Sequence, residues 1–314
     1  MEGLARLPQR DARGHKGTFG TVAVVGGCAD EGGVRMIGGA ALAAIGALRA
    51  GAGLARLAMP EPVLSSGMVI APSATGVALA VDGKGSLVGH EAARRIDELS
   101  RGSDCLVVGP GLGTGEGARA VTVRAAGQED CPVVLDADAL NCLAETKEIR
   151  RDIRCAAVIT PHPGEFARLA RSLGIPSDCG ESEQERANAC ESLARTLGVV
   201  VVLKGAGTVV SDGHQTWTLQ GADAANPALS TAGTGDVLSG VIGGVIAQAP
   251  PPVHAGSVVV RTGGLSLFDA ARVGVVAHAR AAGLWRERRK ASGGMLAMEL
   301  AEAIPEAMEG LRGG

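Results

Sequence analysis

Short apolar runs alternate with longer amphipathic segments along most of the chain. Six runs predict strands: "TVAVVGG" (21–27), "LARLAM" (54–59), "DCLVVG" (104–109), "PVVLDAD" (132–138), "AAVIT" (156–160) and "VVVVLKG" (199–205). Several of these runs are apolar on both faces, as expected when helices cover both sides of a parallel sheet. The pattern therefore predicts an α/β fold in which crossover helices join parallel strands.

Between the strands, apolar residues recur with helical spacing. This spacing predicts helices over 34–50, 91–100, 164–174 and 181–198, three of which have a glycine suited to end them. After residue 204 the pattern changes, and "GTVVSDGHQTWTLQ" holds two short β runs across Asp212-Gly213, which predicts a hairpin. From Asp236 onward the pattern is helical, except for a loop predicted at "APPPVHAG".

The chain has no internal repeat and no segment with the composition of a linker. Its 314 residues, of which 46% are hydrophobic, can bury a sizeable core. We predict one domain over 1–314, with residues 1–14 as a loosely ordered N-terminus. The segment 249–264 is longer than expected between two helices, and either closes over a site or lies on the surface.

Charge and cysteine usage narrow the classes of function. Thirty Lys and Arg oppose 33 Asp and Glu without a basic block, so we expect neither nucleic acid nor an anionic membrane as a partner. The longest apolar stretches are shorter than the ~20 residues that span a bilayer. Seven scattered cysteines lack a Cys-x-x-Cys pair, which argues against disulfides and zinc and fits a reducing cytoplasm. Small-molecule chemistry is the expectation that remains.

Three glycine-rich turns stand out, at 109–117, 204–208 and 231–236. In the first, Gly113, Gly115 and Ala118 match a loose G-x-G-x-x-A, and Asp136 follows at the spacing of a ribose-binding acid. The turn is either a dinucleotide-binding fingerprint or only a tight connection between a strand and a helix.

The third turn, "TAGTGD", predicts an anion site. Gly233, Thr234 and Gly235 offer consecutive backbone N–H groups at the head of a helix, where the helix dipole also favours a phosphate. Asp236 follows directly, and a carboxylate there either caps the helix or acts as a base on a hydroxyl beside the phosphate. The segment alone leaves both roles open.

The motifs together resemble a known family. "GTGD" at the start of a late helix resembles the anion hole and catalytic Asp of the ribokinase-like superfamily. The fuller set resembles the NAD(P)H-hydrate dehydratases, from about residue 15 to the C-terminal helix. It consists of "HKGTFGTVAVVGG" (15–27), "GGAALAAIGALRAGAGLARLAMP" (38–60), "VVGPGLGTG" (107–115), "VVLDADALN" (133–141), "ITPHPGEFARL" (159–169), "VVLKGAGTVVSDG" (201–213) and "NPALSTAGTGDVLSGVIGG" (226–244).

This resemblance implies a fold and an activity. The fold would be a three-layer α/β/α sandwich with a mostly parallel sheet. The activity would be repair of hydrated NADH and NADPH (S epimer): ADP or ATP phosphorylates the C6 hydroxyl with Mg²⁺ present, and phosphate then leaves. The resemblance also implies a cytoplasmic homotetramer that works with an NAD(P)-epimerase. Because the epimerase domain of the bifunctional bacterial proteins is missing, we expect a stand-alone dehydratase.

The resemblance also assigns residues. The nucleotide is expected on Lys204, Gly205, Ala206, Gly207, Thr208 and Gly235, with Gly233, Thr234 and Gly235 as the anion hole. The hydrated cofactor is expected near Ala40, Gly113, His162 and Asp236, with Asp236 as the catalytic base. No metal ligand is assigned.

Several of these side chains also have ordinary structural interpretations. Lys204 ends an apolar strand and alternatively reaches solvent there, and His162 alternatively is a solvated loop residue. We interpret Glu165 as a first-turn helix acid. Asp136 and Asp138 end a strand at the usual ligand crevice and act through metal-bound water, or Asp138 caps the short helix "ALNCLA".

Two other functions remain compatible with the sequence. One is a small-alcohol kinase of the same superfamily, of the hydroxyethylthiazole or hydroxymethylpyrimidine type. It would share "GTGD" but would not need "TPHPGE". The other is a non-catalytic dinucleotide-binding protein built on the 109–118 turn, in which Asp236 and Lys204 would have no role.

Overall fold

The computed structural model describes residues 3–29, 33–249 and 264–313, together with the backbone of two short strands at 254–255 and 258–259. Most of the 249–264 segment therefore lies outside the described residues, and so does its predicted role. The loop predicted at 249–256 contains one of these short strands, His254–Ala255. Within the described ranges, no helix is both long enough and apolar enough to cross a bilayer.

A nine-stranded sheet forms the centre of the molecule. The strands of the described residues also include two separate pairs, β2 with β3 and β12 with β13. In chain order the strands are β1 (Thr21–Val25), β2 (Cys28–Ala29), β3 (Arg35–Met36), β4 (Leu54–Pro60), β5 (Thr75–Leu79), β6 (Cys105–Val108), β7 (Val133–Leu135), β8 (Ala157–Ile159), β9 (Val200–Leu203), β10 (Val209–Ser211), β11 (Thr216–Thr218), β12 (His254–Ala255) and β13 (Val258–Val259). The sheet order is β11-β10-β9-β8-β7-β6-β1-β4-β5. All neighbouring pairs from β5 to β9 are parallel, and β10 and β11 form the predicted antiparallel hairpin.

Helices cover both faces of this sheet. In chain order they are α1 (Gly38–Ala50), α2 (Glu61–Ile70), α3 (Gly89–Arg101), α4 (Glu116–Gly127), α5 (Asp138–Ala144), α6 (Ile149–Asp152), α7 (Pro163–Leu173), α8 (Glu183–Leu197), α9 (Thr234–Gln248), α10 (Leu267–Arg289) and α11 (Ala297–Glu309). Short 3₁₀ turns at Gly221–Asp223 and Pro227–Leu229 precede α9. The predicted three-layer α/β/α arrangement is confirmed.

The double-sided burial of the strands explains their continuous apolar runs. In β1, Val22 and Val24 belong to the hydrophobic cluster that contains α1, α9, α10 and α11. Ala23 and Val25 point the other way, into the cluster formed with α3, α4, α5, α7 and α8. Because side chains alternate between the faces of a strand, both sets of positions must be apolar.

Glycine sets the distance between α1 and α9. A Cβ atom built on Gly240 would lie 2.0 Å from the carbonyl oxygen of Ala43, and one on Gly46 would lie 2.6 Å from that of Val237. Neither contact is possible for a larger residue without moving a backbone. The close approach holds the N-terminal turn of α1 beside that of α9, which carries the predicted anion hole.

The structure differs from the sequence-based prediction at several element boundaries. Helix α1 begins at Gly38 rather than 34, because Arg35–Met36 pairs with Cys28–Ala29 as a short antiparallel ladder. Helices α2 and α4 and strand β5 were not predicted at all. β5 is an edge strand with three of its five residues exposed, so it lacks the apolar pattern of the central strands.

The N-terminal segment also differs from its prediction as loosely ordered. Leu7 is 1% exposed, its N–H donates to Leu311 O, and its carbonyl accepts from Gly313 N–H. The guanidinium of Arg10 lies over the ring of Phe19. Residues 6–9 are therefore attached to the C-terminal end of the chain.

The strand order places a crevice at one edge of the sheet. From β1 the chain runs outward to β4 and β5, and then returns to continue on the other side with β6. Parallel sheets bind ligands beyond the carboxyl ends of the strands at such a switch point. The ends of β6 to β9 lead into Gly109, Asp136, Thr160 and Lys204, which therefore meet at this edge.

Candidate active site

An ion pair between two strand ends forms the centre of the site. Lys204 follows β9, and its Nζ lies 2.8 Å from Oδ1 of Asp136, which follows β7. Oε2 of Glu165, in the first turn of α7, lies 3.8 Å from the same nitrogen. The exposed fractions of the three side chains are 19%, 1% and 5%, so three charges share a largely water-excluded place.

The crowding of like charges changes the protonation of this group. Burial raises the pKa of Glu165 to about 7, and the neighbouring Asp136 adds to the shift against the opposing charge of Lys204. Burial lowers the pKa of Lys204, but Asp136 and Glu165 outweigh that effect and raise it above its ordinary value. Lys204 is therefore a fixed positive charge beside two carboxyl groups.

Asp236 lies in the first turn of α9 and does not cap it. The N-cap is Gly233, in the left-handed region at φ 91°, and no side chain hydrogen-bonds the first-turn N–H groups. The carboxylate instead faces α1, where a Cβ built on Gly39 would lie 3.1 Å from its Oδ2. Burial raises the pKa of Asp236 to about 7, helped by the negative charge of Asp136. Of the two roles left open by the sequence, the structure therefore excludes the cap.

A buried histidine hydrogen-bonds the backbone of the anion-hole turn. Nε2 of His278, on α10, lies 2.8 Å from the carbonyl oxygen of Thr234. A carbonyl only accepts, so Nε2 carries the proton. Burial lowers the pKa of His278 to about 4 and keeps the ring neutral. Because the peptide is planar, fixing the Thr234 carbonyl also fixes the direction of the Gly235 N–H.

A buried arginine hydrogen-bonds the backbone at the start of the Lys204–Thr208 turn. Nη2 of Arg186, on α8, donates to the carbonyl oxygens of Leu203 and Lys204 at 3.4 and 3.1 Å. A Cβ built on Gly205, whose φ is 145°, would lie 2.9 Å from that nitrogen. In the described part of the chain, Arg186 has no carboxylate within 4.0 Å, so its charge adds to that of Lys204 behind the turn.

A cavity lies between the Lys204–Thr208 turn and α10. Its volume is about 410 Å³. The lining residues are Lys204, Gly205, Ala206, Thr208, Leu219, Asp223, Ala224, Ala225, Asn226, Pro227, Leu229, Ser230, Thr234, Gly235, Leu238, Val275, His278 and Ala279. The lining combines aliphatic side chains with a small number of polar groups, a combination typical of a small-molecule site.

The opposite side of Asp236 is formed by the Gly109–Gly115 turn and two short helices. Gly113 N–H donates to Oδ2 of Asp138 at 2.9 Å, so Asp138 fastens this turn to α5. His162 is the N-cap of α7: its Nδ1 accepts from Gly164 N–H, and its own N–H donates to Oε2 of Glu165 at 2.8 Å. Burial lowers the pKa of His162, and the charges of Lys204 and Arg168 add to the shift.

Several of the predicted residues lie close to Lys204 or Asp236 in the structure. A Cβ built on Gly235 would lie 3.5 Å from Lys204 Nζ, and Ala40 is buried next to Gly39 in α1. Ala206 and Thr208 line the cavity, whereas Gly207 lies on the outer side of the turn. Asp138 hydrogen-bonds Gly113, and its charge contributes to the raised pKa of Asp236.

Three interpretations of individual residues need correction. Lys204 does not reach solvent at an exposed strand edge but is ion-paired with Asp136. Asp136 is therefore not free to bind a ribose, as a dinucleotide-binding fingerprint would require. Asp138 lies inside the first turn of α5 rather than capping it. Glu165 is a first-turn acid as expected, but it also faces Lys204.

Sequence reasoning missed Arg186 and His278. Arg186 lies within an amphipathic helix and His278 within an apolar one, and nothing around either residue marks it. Their partners are 18 and 44 residues away in the chain, so only the folded structure reveals them.

Comparison with known proteins agrees with this geometry. The sequence matches the family described as NAD(P)H-hydrate dehydratase over residues 22–306, nearly the whole chain. The chain belongs to this family. The match includes the Lys204–Thr208 turn, the anion-hole turn and the loop that carries His162.

Two similar relatives have nearly the same length as this chain. The ADP-dependent (S)-NAD(P)H-hydrate dehydratase of Bacillus subtilis is 33% identical over 307 residues, covering 96% of this chain and 93% of that protein. The enzyme with the same description from Neisseria meningitidis is 34% identical, covering 92% and 85%. The bifunctional NAD(P)H-hydrate repair enzyme of Coxiella burnetii is 38% identical, covering 88% of this chain. The chain spans about half the length of such bifunctional relatives, 48% in this case.

Solved structures confirm the ribokinase-like fold. The ADP/ATP-dependent NAD(P)H-hydrate dehydratase of Bacillus subtilis, crystallised with ATP and Mg²⁺, superposes with a TM-score of 0.74 at 27% identity, covering 99% of this chain and 100% of that one. A ribokinase-like superfamily protein from Enterococcus faecalis gives 0.70 at 20%, covering 98% and 93%. Hydroxyethylthiazole kinase from Pyrococcus horikoshii gives only 0.52 at 18%, covering 84% and 92%, and shares the fold alone.

Proposed function

We propose that this chain is a dehydratase that restores NADH or NADPH from its (S)-hydrate at the expense of ADP or ATP. The observation that carries the proposal is Asp236: a half-buried carboxylate that does not cap its helix follows the anion-hole turn directly and faces α1 and the charges of Asp136 and Asp138. Family membership and the names of the full-length relatives from Bacillus subtilis and Neisseria meningitidis support it.

The donor nucleotide binds to the Lys204–Thr208 turn, the N-terminus of α9 and the cavity between them and α10. We call these elements the donor side. Its base and ribose occupy the aliphatic part of the cavity, and its terminal phosphate lies at the N–H groups of Gly233, Thr234 and Gly235. Lys204 and the helix dipole stabilise the charge that builds up during phosphoryl transfer. These groups are already held by Asp136, Arg186 and His278, so little reorganisation is needed.

The hydrated nicotinamide ring binds near the Gly109–Gly115 turn, Ala40 and His162. We call these residues the acceptor side. Its C6 hydroxyl points at Asp236, which accepts the hydroxyl proton as the oxygen attacks the terminal phosphorus. A base with a pKa near 7 suits this step, because it is partly ionised at neutral pH and still basic enough to take the proton.

The second step is elimination. The lone pair of the ring nitrogen expels phosphate from C6, and a proton leaves C5, so the double bond of the dihydronicotinamide returns. The nucleotide leaves with one phosphate fewer, and inorganic phosphate is the third product. No second protein base is required, because the ring nitrogen supplies the electrons that break the C–O bond and the released phosphate or water accepts the C5 proton.

The acidic side chains of the site suit Mg²⁺, although the described residues contain no group of three or more His, Cys, Asp or Glu that could hold a metal ion by themselves. Mg²⁺ is commonly held by one or two carboxylates and the phosphates of a substrate. Asp136 and Glu165 would be those carboxylates here. When bound, the ion would neutralise charge on the transferring phosphate.

Recovery of dihydronicotinamide absorbance tests the function. The protein is incubated with (S)-NADHX, Mg²⁺ and either ADP or ATP, with reactions that lack nucleotide as controls. We expect the absorbance to return only when a nucleotide is present. Absence of recovery with both donors, together with phosphorylation of a vitamin alcohol, would instead indicate the small-alcohol kinase.

A further inference from the structure

A second, open groove begins where the acceptor side ends. It has a volume of about 670 Å³ and runs between α5 and α7, which line it with residues spaced three and four apart on one helix face. Helix α5, with the residue that follows it, contributes Asn141, Ala144 and Glu145, and α7 contributes Arg168, Arg171 and Ser172. Thr114 lies at the end towards the Gly109–Gly115 turn. We call this feature the α5–α7 groove.

The groove carries a net positive charge. Arg168 and Arg171 are both exposed, and within the described ranges neither has a carboxylate within 4.0 Å. The acid that lines the groove, Glu145, is paired with Arg119 at 2.5 Å. Nε of Arg119 also donates to Thr114 O, at 3.1 Å. Two arginine charges are thus left over on the surface of a chain whose net charge is −3.

A chain of hydrogen bonds connects the groove to the predicted position of the substrate ring. Asp138 accepts from Gly113 N–H, and Oδ1 of Asp138 accepts from Asn141 Nδ2 at 3.3 Å. Oδ1 of Asn141 in turn accepts from Arg168 Nε at 2.8 Å. From His162 to Arg171, α7 rises by roughly 13 Å at 1.5 Å per residue. The ribose and phosphates of a dinucleotide can cover that distance.

Resting on the proposed function, we infer that the α5–α7 groove binds the phosphate groups of the hydrated dinucleotide, through Arg168 and Arg171. Arginine suits this role because its planar guanidinium donates to phosphate in a bidentate manner. Arg168 is additionally oriented by Asn141. The donor nucleotide lies on the other side of Asp236, so the groove distinguishes the two substrates of the enzyme.

The test compares Arg168→Ala, Arg171→Ala and the double variant with Arg94→Ala. Arg94 is an exposed arginine on α3 that lines neither the groove nor the donor-side cavity, so its removal changes the net charge equally. We expect KM for NADHX and NADPHX to rise about 5-fold in each single variant and further in the double variant, since exposed charge pairs contribute up to about 1 kcal/mol each. KM for ADP or ATP and kcat at saturation should stay near wild type.

Binding of the products NADH and NADPH to the same variants, followed by calorimetry, gives a readout that does not depend on turnover. Weaker binding in Arg168→Ala and Arg171→Ala, and a wild-type affinity that falls with added salt, would support the inference. Affinities and KM values equal to those of Arg94→Ala would overturn it, and so would a KM increase for ADP or ATP alone. Absence of turnover in the wild type would count against the proposed function instead, because product binding is measured separately.

Discussion

The two sides of Asp236 are constructed in different ways. The donor side uses backbone N–H groups and one lysine, each fixed by a buried partner: Asp136 for Lys204, Arg186 for the turn after it, and His278 for the anion-hole turn. The acceptor side continues into an open groove whose arginines lie on exposed helix faces. Phosphoryl transfer depends on preorganised charge, whereas holding a long dinucleotide depends on reach.

This difference predicts different responses to mutation. Changes on the donor side should lower turnover, and those that break a buried pair should also lower stability. Changes on the acceptor side should alter affinity and leave the fold intact. Asp236, at the boundary, should alter turnover alone.

The largest effect is expected for Asp236→Asn. The amide keeps the shape of the side chain but cannot accept the hydroxyl proton, so turnover should fall by about 10² to 10⁴-fold. Stability should be unchanged or slightly increased, because the carboxylate is half-buried beside another negative charge and receives no hydrogen bond from the helix N-terminus. Steady-state kinetics and thermal unfolding measure the two quantities. Near-normal turnover would mean that the base is misassigned.

Lys204→Ala should lower both turnover and stability. The substitution leaves Asp136 buried without its cation, which costs about 3 to 5 kcal/mol when a buried pair is broken from one side. The Lys204→Ala/Asp136→Asn double variant removes the orphaned charge, so denaturant unfolding should show part of the stability regained while turnover stays low. A single variant as stable as the wild type would show that the pair is unimportant for the fold.

His278→Phe should lower turnover about 10-fold, because it removes the hydrogen bond that orients the Thr234–Gly235 peptide. His278→Gln is the matched control, since its amide can donate to the same carbonyl. We expect Gln to recover most of the lost turnover and Phe to lose nucleotide-induced thermal stabilisation as well. Equal losses in both variants would indicate that ring packing, and not the hydrogen bond, explains the effect.

The pH dependence of kcat/KM gives the mildest test. Because the pKa of Asp236 is raised to about 7, its carboxyl group is protonated below that pH and cannot act as a base. Activity should therefore fall as pH decreases through 7, by up to tenfold per unit. Glu165 also has a pKa near 7, so Glu165→Gln is the control. If Asp236 is the base, the loss of activity at low pH should persist in Glu165→Gln. If Glu165 is the base, this pH dependence should disappear in that variant.

The sequence predicted the central strands of the fold. Strands β1, β4, β6, β7, β8 and β9 are recognisable because both faces are buried, which leaves an unbroken apolar run. Edge strand β5 is half exposed, so it lacks the apolar run by which a strand is predicted. Helix α4 begins with Glu116-Gly117 and does not show a clear helical spacing of apolar residues.

The site was predicted only as far as local motifs reach. Backbone turns such as Lys204–Thr208 and Gly233–Gly235 are contiguous in sequence, so their chemistry can be interpreted directly. The pairing of Lys204 with Asp136 joins residues 68 apart and depends on the order of β7 and β9 in the sheet. For that reason Lys204 was expected at an exposed edge, and its burial changes the expected consequence of replacing it.

The most direct test of the account is the stoichiometry of the wild-type reaction. We predict that one inorganic phosphate is released for each NADH restored from (S)-NADHX, and that the donor is shortened by one phosphate. No phosphate should be released when the hydrate is omitted. Phosphate and absorbance can be followed in the same sample. Recovery of NADH without phosphate release, or phosphate release that does not depend on the hydrate, would contradict a phosphorylated intermediate formed between the two sides of Asp236.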